Sequence, residues 1–323
     1  MAHQTSQGNT WSIVLAGGEG TRMGSFVQRW LGRPKPKQFC VFAGTRSLLQ
    51  HTVDRAARLT PAARSILVIA RTYRQEAMTQ LDGRGVGTVL FQPANRDTGA
   101  GVFLPLTYVR ARDPLATVII YPSDHFVYPE ERFLDTVRDA VFVAERLYDR
   151  IILLGVEPDR LELDYGWILP GERLAHAGTN PVQAVRTFLE KPTAQQADDA
   201  LAHRALWNTM VMTAKVETLW RLGQQCFPEL IERFERLDRV IGTPQEARVL
   251  ESIYRTMPSR NFSSDLLQHV PDRVAVTELT NALWSDWGRP ERITEALRRI
   301  DRAPAFPLEA LGSPFAPIHE DRS

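Results

Sequence analysis

Apolar residues in the first half of the chain gather into short unbroken runs: "WSIVLA" (11–16), "SILVIA" (65–70), "GTVLFQ" (87–92), "TVIIYP" (117–122) and "RIILLGV" (150–156). Runs this short, rich in β-branched residues and apolar at successive positions, predict strands buried on both faces. Such strands belong to a parallel sheet covered by helices. Between them, residues 46–59, 72–81, 98–112 and 130–147 repeat their apolar positions at helical spacing. Strand and helix therefore alternate, which predicts an α/β layered fold with a mostly parallel central sheet.

The rhythm changes near residue 160. "YGWILPGE" (165–172) and "PVQAVRTFLEKP" (181–192) predict antiparallel or edge strands, and 215–257 predicts mostly helix. No fixed-period repeat occurs, and no low-complexity linker separates the halves. The expectation is one domain over 1–302, in two halves of about 10–160 and 161–302, followed by a proline-rich irregular tail over 303–323.

Composition narrows the partners. A chain of 323 residues with 43% hydrophobic and 24% charged content has ample material for a core, and 39 basic against 38 acidic residues leave a net charge of +1. That balance lacks the footprint of a dedicated nucleic-acid binder, so any anion must meet a local cluster. Cys40 and Cys226 lie far apart without metal-site spacing, which argues against a disulfide framework or structural zinc. The polar opening "MAHQTSQGNT" lacks an apolar signal core, and the apolar runs are too short to cross a bilayer. A cytoplasmic protein without membrane partners is expected, its oligomeric state open, a homo-oligomer included.

The densest candidate chemistry is "LAGGEGTRM" (15–23), directly after the first strand. Glycines there let the backbone turn and leave N–H groups free for phosphate oxygens. A dinucleotide fingerprint fails because Met23 stands where its third glycine belongs, and no Gly-Lys pair supplies a Walker A loop. What remains is Gly-Gly-x-Gly-Thr-Arg, followed by "PKQF" (36–39).

With these motifs the chain resembles the sugar-1-phosphate nucleotidyltransferases, and within them the mannose-1-phosphate guanylyltransferase group. The resemblance implies a Rossmann-like three-layer nucleotidyltransferase fold, with a nucleotide-binding first half and a sugar-phosphate-binding second half. It places Leu15, Ala16, Gly17, Gly18, Gly20 and Thr21 around a nucleoside triphosphate. Arg22 neutralises the leaving pyrophosphate, and Lys37 contacts phosphates near the reacting centre. The interval from Arg22 to Lys37 is longer than usual in that family, and Lys35 is a second candidate. "FQPANRDTGA" (91–100) is similar to the nucleotide-recognition segment, implicating Gln92, Arg96, Asp97 and Thr98. Asp97 has two readings: a carboxylate accepting from guanine's paired donors, or an N-cap for the helix beginning near Thr98.

"YPSDHF" (121–126) ends a buried strand with Asp124, and "LWSDWGRPERI" (283–293) supplies Asp286; the resemblance makes both Mg²⁺ ligands. Magnesium suits such a pair because it keeps most of its octahedron for phosphate and water oxygens. His125 is expected on the other face, without a catalytic role. For the sugar phosphate, the resemblance implicates Glu190 and Lys191 in "LEKP", Tyr165 and Gly166 in "DYGW", and Asn208 in "LWNTMV". In the last segment Thr209 and Met210 replace the family's serine and glycine, so the sugar's identity stays open. The implied reaction joins GTP and mannose 1-phosphate into GDP-mannose with release of pyrophosphate. Two rivals stand beside it: a cytidylyltransferase acting on another phosphorylated polyol, and a regulatory protein that binds a nucleotide sugar without making it.

Overall fold

The computed structural model describes residues 9–178 and 180–311. In chain order the elements are β1 (Thr10–Ala16), α1 (Gly24–Leu31), α2 (Leu48–Ala57), β2 (Ser65–Ala70), α3 (Arg74–Leu81), β3 (Thr88–Gln92), α4 (Asp97–Arg112), β4 (Thr117–Pro122), β5 (Phe126–Tyr128), α5 (Glu130–Ala144) and β6 (Ile151–Val156). The second half continues with β7 (Gly166–Ala177), β8 (Asn180–Glu190), α6 (Ala194–Ala202), β9 (Leu206–Lys215), α7 (Val216–Cys226), α8 (Pro228–Asp238), α9 (Glu246–Thr256), β10 (Val274–Glu278), β11 (Leu283–Ser285) and α10 (Pro290–Arg299). Each apolar run of the first half is a strand, and each helical stretch holds a helix.

Nine strands form one sheet in the order β3-β2-β1-β4-β9-β6-β10-β8-β7, while β5 and β11 pair as a separate antiparallel ribbon. Strands β3, β2, β1 and β4 are mutually parallel, as are β6 and β10; β9 and β8 run against the rest. The sheet is thus mostly parallel, and the change of pattern near residue 160 marks where antiparallel strands enter.

Burial on both faces explains the unbroken runs. In β4, Val118 and Ile120 pack under α4, α7, α8 and α9, while Ile119 and Tyr121 face α2 and α5. At about 25 cal/mol per Å² of apolar surface, filling both faces is the main stabilising term. Helix α2 starts at a reciprocal cap, in which Ser47 Oγ accepts from Gln50 N and the Gln50 side chain accepts from Ser47 N. Among the described residues no helix is long and apolar enough to cross a membrane.

A third apolar cluster joins the glycine corner to the C-terminal side. Met23, Phe26, Phe42 and Trp287 pack with Phe306, whose ring stands edge-on to Phe26 at 5.1 Å and to Trp30 at 5.5 Å. Ala305 N donates to Phe42 O at 2.8 Å, and Leu308–Leu311 form a 3-10 turn. Residues 303–311 of the expected tail are therefore docked, because an aromatic side chain there finds a ready pocket; residues 312–323 lie outside the described residues. Phe306→Ala is expected to lower unfolding free energy by about 3 kcal/mol. Leu308→Ala, at a residue 58% exposed, should stay within about 0.5 kcal/mol of the parent. Urea denaturation measures both, and equal small effects would show that the segment does not dock.

Candidate active site

The carboxyl ends of β1 and β4 are level, with Leu15 opposite Pro122, and Ser123 N donates to Leu15 O at 3.0 Å. The glycine corner after β1 and Ser123–Asp124 after β4 consequently share one edge of the sheet, where open α/β folds bind ligands. Gln38 ties the corner down, its Nε2 donating to Gly18 O at 2.7 Å and Ala16 O at 3.2 Å.

Two clefts open from this edge and meet at Asp124. The larger, of about 310 Å³, is walled by Leu15, Gly17, Gly18, Gln92, Asp97, Thr98, Ser123 and Asp124. The smaller, of about 220 Å³, is walled by Gly20, Thr21, Arg22, Met23, Lys37, Asp124 and Gly288. Between them the structure brings together the expected glycine corner, cations and carboxylates.

Lys37 is 4% exposed. Its Nζ lies 3.0 Å from Asp124 Oδ2 and donates to the backbone carbonyl of Asp286. Lys35 is elsewhere: its Nζ pairs with Glu76 Oε1 at 2.8 Å, beside Arg33. Of the two lysines, only Lys37 faces the clefts. Burial would raise the Asp124 carboxyl, but the Lys37 ammonium beside it outweighs burial and holds the group below the usual carboxylate range.

Asp286 is more heavily bonded than a lone metal ligand requires. Its Oδ1 accepts from Tyr165 Oη at 2.7 Å, Arg292 Nη1 at 2.7 Å and Gly288 N at 2.9 Å, whereas its Oδ2 accepts from Arg22 Nη2 at 3.1 Å. Burial opposes ionisation here too, yet Lys37, Tyr165 and Arg292 keep the carboxyl far below its ordinary value. Gly288 is required by this packing, since a Cβ there would lie 2.6 Å from Asp286 Oδ2 and 3.1 Å from the Arg22 guanidinium.

Several expected contacts are reassigned. Tyr165 is committed within the protein: its ring packs against Trp207 and Trp284, and its hydroxyl is bound to Asp286 and Arg292. Arg96 turns away from the cleft, donating to Tyr254 O at 2.9 Å and Arg255 O at 3.3 Å, because the carbonyls ending α9 lack helical partners. Asp97 Oδ1 accepts from Thr98 N at 2.6 Å and Asn261 Nδ2 at 3.2 Å, so part of its carboxylate serves the helix start. Gln92 stays on the wall, pinned by its bond to Tyr254 Oη at 2.9 Å. His125 sits closer than expected, its Nε2 3.5 Å from Asp124 Oδ1 and its ring edge-on to Trp284; burial lowers its pKa and favours neutral imidazole.

On the opposite side, Gly166 lies between Glu190 and Asn208. A Cβ on Gly166 would come within 3.0 Å of Glu190 Oε2 and 3.3 Å of Asn208 Cβ, so the glycine opens a floor between two polar side chains. Lys191 follows, exposed on the rim. Sequence reasoning missed Gln38, Tyr254, Gly288 and Arg292. Only Gly288 carried a visible signal, its place two residues after Asp286; the others act through contacts far apart in the chain.

Residues 11–302 match the nucleotidyl transferase family. The chain belongs to that family. It is 24% identical over 85% of its length to a mannose-1-phosphate guanylyltransferase of Escherichia coli, covering 59% of the latter. It is 28% identical over 85% of its length to the xanthan biosynthesis protein XanB of Xanthomonas campestris pv. campestris (strain B100), covering 57% of that protein. The chain thus spans somewhat under three-fifths of the length of these curated relatives. Its fold superposes with TM-score 0.73 and 27% identity on a crystal structure from Thermus thermophilus described as a mannose-1-phosphate geranyltransferase, covering 88% of this chain and 79% of that one.

Burial pushes the Glu190 carboxyl up, partly offset by Lys191 and reinforced by Asp97. The folded state therefore holds the Glu190 proton more tightly than the unfolded chain. This contribution to stability is full below the ordinary glutamate value of about 4.3 and is lost as pH rises through the folded value. Glu190→Gln, which cannot ionise, should gain stability relative to the parent between about pH 4 and pH 7. Urea midpoints at both pH values check this, and an identical offset at the two would refute it.

Proposed function

We propose that the chain transfers a nucleotidyl group from GTP to mannose 1-phosphate, or to a closely related hexose 1-phosphate, releasing pyrophosphate. The carrying observation is that two clefts, one framed by the glycine corner and the other by Arg22 and Lys37, join at Asp124. A nucleoside fits the larger cleft and a polyphosphate the smaller, so the α-phosphorus falls at the junction. The family match and the names of the relatives support the nucleotidyl transfer and the choice of mannose and guanine. Gly166, Glu190 and Asn208 offer the hydroxyl-binding floor for the acceptor, with Lys191 on the rim for its phosphate.

The residues fit magnesium. Asp124 lines both clefts with its side chain 34% exposed, and Asp286, whose side chain is 6% exposed, meets through Oδ2 the Arg22 guanidinium, a side chain 51% exposed. An exposed carboxylate on Asp124, with the buried Asp286 carboxylate behind the solvated Arg22, suits a hard ion that draws its remaining ligands from phosphate and water. Among the described residues no group of three or more His, Cys, Asp and Glu forms a fuller cage. Mg²⁺ held there would supply charge neutralisation at the phosphate oxygens.

The chain's own residues then manage charge. An acceptor phosphate oxygen, ionised because a phosphomonoester's second pKa is about 6, forms a bond to the α-phosphorus. The α–β bridging bond breaks, and its electron pair leaves with pyrophosphate. No serine or histidine need be activated. Lys37, locked between Asp124 and the Asp286 carbonyl, presents fixed positive charge without reorganisation, and Arg22 faces the leaving group. Two unit charges 4 Å apart interact by about 4 kcal/mol at an effective dielectric of 20, so a displaced cation costs orders of magnitude in rate.

Asp124→Ala, Asp286→Ala, Arg22→Ala and Lys37→Ala are each expected to lower pyrophosphate release from GTP and mannose 1-phosphate by about 10²-fold or more. Lys35→Ala, remote from the clefts, should retain parental activity. Chelation of divalent cations should abolish release and added Mg²⁺ restore it. A panel of nucleoside triphosphates and sugar 1-phosphates tests the pairing: turnover of CTP without GTP, or ligand binding without any pyrophosphate, would overturn the assignment.

A further inference from the structure

Strand β9 breaks its register opposite β6: Leu153 pairs with Met212 and Gly155 with Asn208, so two steps on one strand face four on the other. Such bulges bend a strand and re-aim side chains. At the break Met210 takes φ = +57°, a left-handed conformation that strains an L residue with a long side chain. Its neighbours hold it there. Asn208 Oδ1 accepts from Met210 N at 3.0 Å, Thr209 Oγ1 donates to Leu154 O at 2.7 Å, and Val211 N donates to Thr209 Oγ1 at 3.3 Å.

The re-aimed side chain lines the larger cleft opposite Leu15, Ser123 and Asp124. Its sulfur accepts from Ser263 Oγ at 3.6 Å, closing the gap between the sheet edge and the short π-helical turn Ser263–Leu267. Along the strand it stands two residues from Asn208, whose Cβ lies against the Gly166 floor. Met210 thus stands in the wall of the larger cleft, two residues from the Asn208 that borders the Gly166 floor.

We propose that Met210 is a specificity-determining residue whose side chain excludes sugar 1-phosphates bearing a ring substituent larger than a hydroxyl. The inference rests on the proposed transfer reaction and names the class of acceptor that the site accepts. A flexible thioether fills irregular space well, and a hydrophobic wall discriminates by size.

The test uses the full chain as parent, Met210→Gly and Met210→Ala, with the alanine variant keeping a Cβ should the glycine variant fold poorly. Pyrophosphate release is measured with GTP and either mannose 1-phosphate or N-acetylglucosamine 1-phosphate. Calorimetry gives the affinity of each protein for N-acetylglucosamine 1-phosphate alone. The ratio of kcat/KM for the acetamido over the hydroxyl acceptor should rise at least about tenfold in Met210→Gly and less in Met210→Ala, while Tm rises in the glycine variant as strain is relieved. Ratios within about twofold of the parent, or a changed nucleotide preference with the sugar ratio constant, would overturn the role of Met210. If the parent releases no pyrophosphate from any pair, the transfer reaction itself falls. Calorimetry then decides: tighter acetamido binding in the variants upholds the size filter, and equal affinities reject it.

Discussion

A single buried ammonium organises the edge at which the two clefts meet. Lys37 reaches from the segment after the glycine corner to the Asp124 carboxylate and to the backbone of Asp286. It therefore fastens three segments distant in the chain to one point. Burying a lysine is costly, and a buried charge is tolerated only when paired. The ion pair with Asp124 meets that demand, and the same pairing keeps Asp124 ionised. Removing either partner leaves the other charge uncompensated, so the lysine and the aspartate are structural conditions of each other.

Around that point the charges are arranged in unequal degrees of commitment. Asp286 Oδ1 is saturated by Tyr165, Arg292 and a backbone N–H, and Arg292 is further paired with Glu162. These groups form a rigid backing. Asp124 lines both clefts, and the buried Asp286 Oδ2 sits behind Arg22, a solvated partner that also approaches Asp164 at 3.5 Å. The exposed Arg22–Asp164 pair is of a kind that contributes about 0–1 kcal/mol. Arg22 can exchange its carboxylates for a phosphate at little cost, whereas Arg292 cannot.

The sheet's architecture was legible because burial on both faces writes itself as unbroken apolar runs, as in "SILVIA" and "TVIIYP". Helix positions followed from periodicity, and Asp124 from its place at a strand end. The functions of Tyr165 and Arg96 were not legible. Both lie beside motif residues, yet their side chains are claimed by Asp286 and by the end of α9, long-range partners that no local pattern encodes. The choice between Lys35 and Lys37 likewise depends on Glu76, which draws one lysine outward. Phe306 looked like part of an irregular tail because one aromatic among prolines carries no periodicity; its pocket is assembled from residues 26, 30 and 42.

Backbone strain follows the same geography. Among the described residues, the non-glycine positions with positive φ are Asp97, Lys191, Arg204, Met210, Asn281, Trp287 and Asp301. Four of these, Asp97, Lys191, Met210 and Trp287, border the clefts or adjoin residues assigned to them. Three are visibly restrained from outside: Asp97 by Asn95 and Asn261, Met210 by Asn208, and Trp287 by stacking on Phe126 at 4.4 Å. A left-handed residue costs about 1–3 kcal/mol and persists only where its surroundings over-determine it. The core supplies that surplus, since both faces of the sheet are filled. Strain placed at Trp287 then fixes Asp286, its chain neighbour, independently of Lys37. The acidic pair is therefore held by electrostatics on one side and by packing on the other.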